Sequence, residues 1–189
     1  AQFRRQRQMC IRDRFSFLFL SIGIVWGVFF SPTDFKQGDV YRIIYMHVPA
    51  ASVSQAIYYT MTVAAVVSMI WRMKMAGIFI KSMAPIGASF TFLALISGSI
   101  WGQPTWGTWW IWDARLTSTL VLFIFYIAII SLYSSFSEKK SADQAVSILT
   151  LVGAVNLPII KKSVDWWNTL HQPASIKFTE SSSISPVML

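Results

Sequence analysis

The chain has 189 residues, of which 54% are hydrophobic, and its mean hydropathy of +0.53 lies above that of ordinary soluble domains. The formal net charge is +8, but the basic residues are scattered in short loops between apolar runs, so they form no single face for nucleic acid. One cysteine, Cys10, excludes an internal disulfide, a C-x-x-C redox pair and a C-x-x-C-H site for covalent haem.

The N-terminal segment, residues 1–14, carries five arginines and one aspartate. We predict that it is a basic cytoplasmic leader before a first membrane span. A cleaved signal peptide is not expected, because no small-x-small site follows the first apolar run. The segment differs in composition from the rest of the chain, so the alternative that it is foreign to the protein stays open.

Five apolar runs follow the leader and predict an all-α fold, a polytopic transmembrane helical bundle over residues 15–160. The runs are 15–30, 48–71, 76–100, 116–136 and 145–160. A span needs about 20 residues, so the first run is short. The fifth contains Asn156 and Pro158 and is the weakest prediction of the five. In the third run, Pro85 and the small residues around it predict a kink and close helix contact.

Lysine and arginine counts in the loops predict the orientation of the bundle. With the N-terminus inside, ten basic residues lie on the inner side and six on the outer side, and without the leader the inner count is five. On this topology residues 31–47, 101–115 and a tail at 161–189 lie outside the cytoplasm. The stop at Leu189 predicts truncation before a sixth span.

The segment 101–117, WGQPTWGTWWIWDARLT, holds five of the nine tryptophans. These are Trp101, Trp106, Trp109, Trp110 and Trp112. Gly102, Pro104 and Gly107 break regular helices, so we predict a shaped loop. Crowded indole rings at a membrane surface would make a platform for a flat, mostly apolar ligand. The alternative is an aromatic belt that only anchors the protein.

The two histidines, His47 and His171, are both predicted on the same outer side as this loop. Haem iron takes one axial ligand on each face of the ring, and imidazole is a common nitrogen donor. Two imidazoles and the indoles would therefore form one porphyrin site. A structural role at a helix end remains the alternative. Zinc is a poorer interpretation, because its third and fourth ligands would have to be recruited from Asp113 and Asp165.

Arg42 and Arg115 are candidates for binding a carboxylate ligand such as the haem propionates, because guanidinium pairs bidentately with carboxylates. Alternatives for Arg115 are an ion pair with Asp113 or an interfacial anchor. Asp113 is also placed to accept a hydrogen bond from a loop backbone or indole N–H. No ATP-binding P-loop and no Ser-His-Asp arrangement is visible, and two histidines are too few for a two-haem membrane cytochrome.

Three segments resemble a known family. Residues 101–118 are similar to the tryptophan-rich WWD signature of haem-handling proteins of bacterial cytochrome c maturation, and 41–51 and 164–172 resemble the two histidine segments of its haem exporter protein C (CcmC) family. The similarity covers about residues 16–172. It implies a non-enzymatic protein of the bacterial inner membrane that holds haem b non-covalently on the periplasmic side. His47 and His171 would be the axial ligands, and the WWD segment the haem platform and chaperone contact.

The resemblance also implies partners. Haem would be delivered to the membrane-anchored haem chaperone CcmE, together with the small protein CcmD and the ATP-binding-cassette complex of CcmA and CcmB, within membrane lipid and without nucleic acid. Members of the family have six spans, from which this chain departs. Two other classes stay open: a haem lyase or oxidoreductase subunit of a related WWD complex, and a scaffold whose tryptophans only anchor or bind a partner.

Overall fold

The structure is a computed structural model that describes residues 2–167 and 169–171, with side chains from residue 9 onward. Within these residues it contains helices and no β-strand. Six α-helices follow one another: α1 Gln2–Val25, α2 Ile44–Trp71, α3 Lys74–Trp106, α4 Ala114–Ser135, α5 Lys139–Ala154 and α6 Asn156–Trp166. A π-helix, Trp26–Phe30, extends α1, and a 3-10 helix, Asp39–Ile43, leads into α2. The predicted all-α class is confirmed.

Among the described residues, five helical segments are long and apolar enough to cross a membrane, in agreement with the five predicted spans. They are Met9–Phe30, Asp39–Trp71, Lys74–Trp106, Ala114–Ser135 and Lys139–Trp166. The fifth consists of α5 and α6, which only Val155 separates. The first begins before the apolar run at residue 15, because α1 continues without interruption through the basic leader. The polytopic helical bundle is thus the observed architecture.

The loop predicted from residue 101 is wrong at its start, because α3 continues to Trp106. Pro104 lies in the last turns of α3, where one lost hydrogen bond weighs little against the length of the helix. Gly102 does not end the helix either. Its missing Cβ leaves room for the Trp106 ring, since an added Cβ would lie only 3.0 Å from that ring. The residue that ends the helix is Gly107, whose φ of 78° is left-handed and whose N–H donates to the Gln103 carbonyl at 3.0 Å.

The fifth span also differs from its prediction, because it continues beyond residue 160 to Trp166. Pro158 lies in the first turn of α6, where a missing N–H removes no helical hydrogen bond. Asn156 is buried and donates its Nδ2–H to the Ser118 carbonyl of α4 at 2.8 Å. Both helix-breaking signals are thus accommodated within the span. The tail predicted at 161–189 begins as helix, and its residues 172–189 lie outside the described residues.

The bundle core is centred on two tyrosines, Tyr58 of α2 and Tyr126 of α4, whose rings meet edge to face at 5.1 Å. Tyr126 donates its hydroxyl hydrogen to the Ser54 carbonyl of α2 at 2.7 Å. Glycines make room for both rings, because a Cβ at Gly87 would overlap Tyr126 and one at Gly153 would overlap the Tyr58 hydroxyl. Small residues therefore allow close helix contact in α3 and α5, as predicted for α3.

In contrast, the described side chains of α1 pack little against the rest of the bundle. Its described side chains from Met9 to Val25 are exposed, except at Ser21, which is half-buried. In the following π-helix, Gly27 is buried, and an added Cβ would lie 2.9 Å from the Tyr45 side chain of α2. The missing Cβ of Gly27 therefore lets the π-helix pass close to the start of α2.

The helix directions alternate, so the connections gather at two ends of the bundle. Residues 31–43, 107–113, 167 and 169–171 lie at one end, which we call the site end. Residues 72–73 and 136–138 lie at the opposite end. The site end therefore brings together the segments that hold the predicted site residues.

Candidate functional site

His47 lies in the first turn of α2, and α3 holds its ring. Its Nδ1 lies 3.0 Å from the Ser97 hydroxyl, and the imidazole also hydrogen-bonds to the backbone of Ala94. Its ring packs edge to face on Trp101 with centroids 5.8 Å apart. Gly98 lets the ring approach, since an added Cβ would lie 2.9 Å from His47 Cε1. The orientation of this imidazole is therefore fixed by a neighbouring helix.

His171 reaches the same place from the segment that follows α6. Its ring centroid lies 6.4 Å from that of His47, with the planes inclined by 37°. The Trp106 ring lies 6.2 Å from it on the other flank. The structure thus brings together two imidazoles that are 124 residues apart in sequence.

Two residues of the segment 31–43 hold the Trp101 side chain in place. Its indole N–H donates to Gln37 Oε1 at 2.8 Å, and the buried Tyr41 ring meets it edge to face at 5.8 Å. Gln37 and Ser97 were both missed by the sequence analysis, since neither lies in a motif that the residues alone reveal. Tyr41 belongs to a segment of the family resemblance, which is the signal that would have found it.

The other loop tryptophans are arranged differently. Trp109 is 61% exposed and Trp112 is 75% exposed. Trp110 is partly buried and meets Trp112 edge to face at 5.5 Å, and its Nε1 has no hydrogen-bond partner among the described residues. The five indoles therefore form two groups. Trp101 and Trp106 flank the imidazoles, whereas Trp109, Trp110 and Trp112 form an outer group on the loop.

Asp113 is the N-cap of α4, because its Oδ1 accepts a hydrogen bond from the Leu116 N–H at 2.7 Å. This is the backbone role that was one of its predicted alternatives. Arg115 lies in the first turn of the same helix and interacts electrostatically with Asp113, Asp165 and His47. No described carboxylate lies within 4 Å of its guanidinium, so the predicted ion pair with Asp113 is not formed.

Arg42 lies in the 3-10 helix that leads into α2. Its guanidinium pairs with Asp39 at 3.3 Å, and its NH1 donates to the Val28 carbonyl at 3.5 Å. Its Nε is buried and has no partner among the described residues. Arg42 therefore links residues 39–43 to the π-helix after α1 and keeps one donor unused.

The spacing of the two imidazoles can be tested against haem. In a bis-histidine haem each ligating nitrogen is about 2 Å from the metal, so the two ring centres lie roughly 6 Å apart. The observed 6.4 Å between centroids fits this requirement. The described residues hold no group of three or more His, Cys, Asp or Glu placed to bind a metal ion. An iron that already has four porphyrin nitrogens needs only two further donors, which is the number of imidazoles that the site brings together.

Comparison with known proteins places the chain in a family. The family described as CcmC, heme exporter protein C, matches residues 4–189. The chain belongs to this CcmC family. The resemblance predicted from three segments is therefore confirmed over most of the sequence.

Individual CcmC relatives are similar over nearly the same length. The chain is 53% identical to heme exporter protein C of Escherichia coli K12 over 173 residues, covering 92% of this chain and 69% of that protein. Identity to heme exporter protein C of Haemophilus influenzae is 52% over 170 residues, covering 90% and 69%. A putative cytochrome c biosynthesis ccmC-like mitochondrial protein of Marchantia polymorpha is 45% identical over 172 residues, covering 90% and 73%.

Proposed function

We propose that this CcmC-family protein binds haem non-covalently between His47 and His171 and delivers it for cytochrome c maturation. The observation that carries the proposal is the 6.4 Å spacing of the two imidazole centroids, flanked by Trp101 and Trp106. Neutral imidazoles supply the two axial nitrogens. The indole faces offer apolar surface to the porphyrin, in a chain whose relatives are named heme exporter proteins.

Arg115 is the residue that we assign first to the haem propionates. It is half-buried at the site end, interacts electrostatically with His47, and has no described carboxylate within 4 Å. A guanidinium in such a place gains most from a carboxylate that arrives with the ligand. Arg42 is the second candidate, with its unused Nε. The contact between Arg42 and Asp39 would loosen when a propionate binds.

Delivery requires that haem be released. The two histidines lie in segments of different structure, which supports release from one of them first. His47 comes from the first turn of a long helix and is held by α3, whereas His171 comes from a non-helical segment after α6. The receiving protein, which we propose to be the chaperone CcmE, displaces His171 while His47 still holds the iron. Trp109 and Trp112 are the exposed side chains that would contact it.

The remaining assignments follow from the family. We propose that the site end faces the periplasm from the inner membrane and that CcmD and the CcmA–CcmB complex act together with this protein. The bound haem is haem b, and the role is delivery without catalysis. Five candidate spans and an N-terminus on the cytoplasmic side would put the site end in the periplasm.

The absorbance spectrum of the purified protein with haem tests the ligand assignment. The wild-type protein should give a low-spin bis-histidine spectrum. His47→Ala and His171→Ala should each lose it, because one axial position becomes open. Added free imidazole is the control, since it should restore the low-spin spectrum if the pocket is intact. Retention of that spectrum by both variants without imidazole would show that other residues bind the iron.

A further inference from the structure

Ser97 touches the imidazole of His47 from the buried side of the site. The residue is 1% exposed, and its Oγ lies 3.0 Å from His47 Nδ1. The same oxygen lies 2.7 Å from the Leu93 carbonyl one turn earlier in α3, and 3.2 Å from the Ala94 carbonyl. A serine hydroxyl has one hydrogen to donate and two lone pairs to accept with. The bond to Leu93 uses the hydrogen, so a lone pair is left for His47.

A second acceptor on α3 faces the same ring. The imidazole hydrogen-bonds to the backbone of Ala94. Ala94 lies in the interior of α3, where its N–H is engaged in the helix, so the group that it offers is a carbonyl, which can only accept. Both α3 neighbours of His47 are therefore acceptors, and the contact that fixes which ring nitrogen carries the hydrogen is the one between Ser97 Oγ and Nδ1. A neutral ring with its hydrogen on Nδ1 has its lone pair on Nε2.

We propose that Ser97 is a positioning residue that holds neutral His47 in the Nδ1–H tautomer and leaves the Nε2 lone pair for the haem iron. The iron part rests on the proposed function, whereas the tautomer is a property of the protein without haem. Gly98 acts next to Ser97, because its missing Cβ lets the ring lie against α3 where the hydroxyl can reach it. Partners of this kind fix the tautomer of ligating histidines and raise the basicity of the ligating nitrogen.

The tautomer can be measured in the haem-free protein by 15N NMR of labelled histidine in lipid bilayers, at a pH where the imidazole is neutral. The chain has two histidines, so each signal is assigned by its loss in His47→Gln or His171→Gln. His47 should carry its hydrogen on Nδ1. Ser97→Ala should move part of the population to the Nε2–H form, and Ser97→Thr should retain the wild-type tautomer. A wild-type His47 with its hydrogen on Nε2 would overturn the proposal.

Ser99→Ala is the matched control, because Ser99 lies on the same helix and bonds to the Leu95 carbonyl at 3.0 Å without a described contact to His47. In a haem titration, Ser97→Ala should weaken binding about tenfold or more, and Ser99→Ala should not. Ser97→Ala should also raise the reduction potential of the bound haem, because the ligating nitrogen becomes a weaker donor. A purely structural role would lower stability without moving the potential.

The two measurements separate failure of this inference from failure of the proposed function. If the wild-type protein binds no haem, the proposed function is wrong, and the NMR result still decides the tautomer. If the wild-type protein binds haem and Ser97→Ala matches Ser99→Ala in tautomer, affinity and potential, Ser97 has no positioning role. The proposed function would then stand.

Discussion

Gly98 sets how closely the His47 ring can lie against α3, and its replacement gives a direct prediction. In Gly98→Ala the new Cβ would lie 2.9 Å from His47 Cε1, which is too close, so the ring must move. We expect haem affinity to fall about tenfold or more, as when the support of a metal ligand is altered. Titration followed by absorbance measures this. Gly23→Ala is the control, since no atom lies within 4 Å of its added Cβ. Equal affinities in the two variants would contradict the prediction.

Gln37 positions Trp101 through a single hydrogen bond, which provides a second test on one side chain. Gln37→Leu leaves the half-buried indole N–H without its 2.8 Å acceptor. The expected loss in the free energy of unfolding is about 1 kcal/mol or somewhat more. Thermal denaturation in detergent measures it. Gln144→Leu, at an exposed position of α5, should change stability by less than about 0.5 kcal/mol. A larger effect at Gln144 than at Gln37 would count against the assignment.

Not all of these residues were accessible from the sequence. His47 and His171 stand out in the sequence as its only two histidines, both predicted on the outer side, and Trp101 stands out as part of the tryptophan-rich segment. Ser97 carries no such signal, since serines that bond back to their own helix also occur at Ser82 and elsewhere in α3. Which of them faces a ring fifty positions away depends on how α2 and α3 pack. The role of the two histidines as haem ligands stays a prediction.

Helix contacts in the core depend on glycines whose missing Cβ leaves room for a tyrosine side chain of a neighbouring helix. Gly153→Ala in α5 would place a Cβ against the Tyr58 hydroxyl and the Phe125 ring. We expect it to destabilise the protein by about 1–3 kcal/mol, the usual range for overpacking. Tyr58→Phe should be close to neutral, because the buried hydroxyl has no hydrogen-bond partner among the described residues. Combining the two should recover part of the loss, and strictly additive effects in a double-mutant cycle would contradict this packing.

The first turn of α4 depends on Asp113 as its cap. Asp113→Ala removes the acceptor of the Leu116 N–H and should cost about 1 kcal/mol in the free energy of unfolding. Asp113→Asn keeps an acceptor oxygen and should lose much less, so it serves as the matched control. Thermal unfolding of the two variants under the same detergent conditions measures the difference. If Asn and Ala lower the midpoint equally, the carboxylate charge and not the cap is what matters.

The existence of each helix was easier to predict than its ends. Long apolar runs predict all five spans correctly, because the total apolar surface of a run decides whether it forms a span, and one helix-breaking residue changes this little. The predicted end of α3 is too early, because Gly102 and Pro104 predict a break that the helix does not have. The actual end at Gly107 depends on a left-handed backbone conformation, which Gly102 could adopt as readily, so the sequence did not distinguish the two glycines. At the start of α6, Asn156 is tolerated within the span because its side-chain amide donates a hydrogen bond to the Ser118 carbonyl of α4.

The orientation of the whole molecule can be tested with cysteines, because the chain has only Cys10. In a Cys10→Ser background, Phe35→Cys places a thiol at the site end and Ser137→Cys places one at the opposite end, both at exposed positions. An impermeant maleimide should label Phe35→Cys in spheroplasts and Ser137→Cys only after lysis. Labelling with the reverse pattern would put the site end in the cytoplasm and contradict the proposed delivery to the periplasm.

The two histidines of the site lie far apart in the sequence, His47 in α2 and His171 after α6. During translation, a nascent polypeptide that has inserted α1 to α4 already exposes His47 and the tryptophans, but His171 has not yet been synthesised. If the two histidines bind haem iron as proposed, an unfinished chain can therefore offer an iron porphyrin only one axial nitrogen, and the second becomes available after α6 is in place. Binding through both imidazoles, as proposed, therefore becomes possible only after the segment that follows α6 has been synthesised.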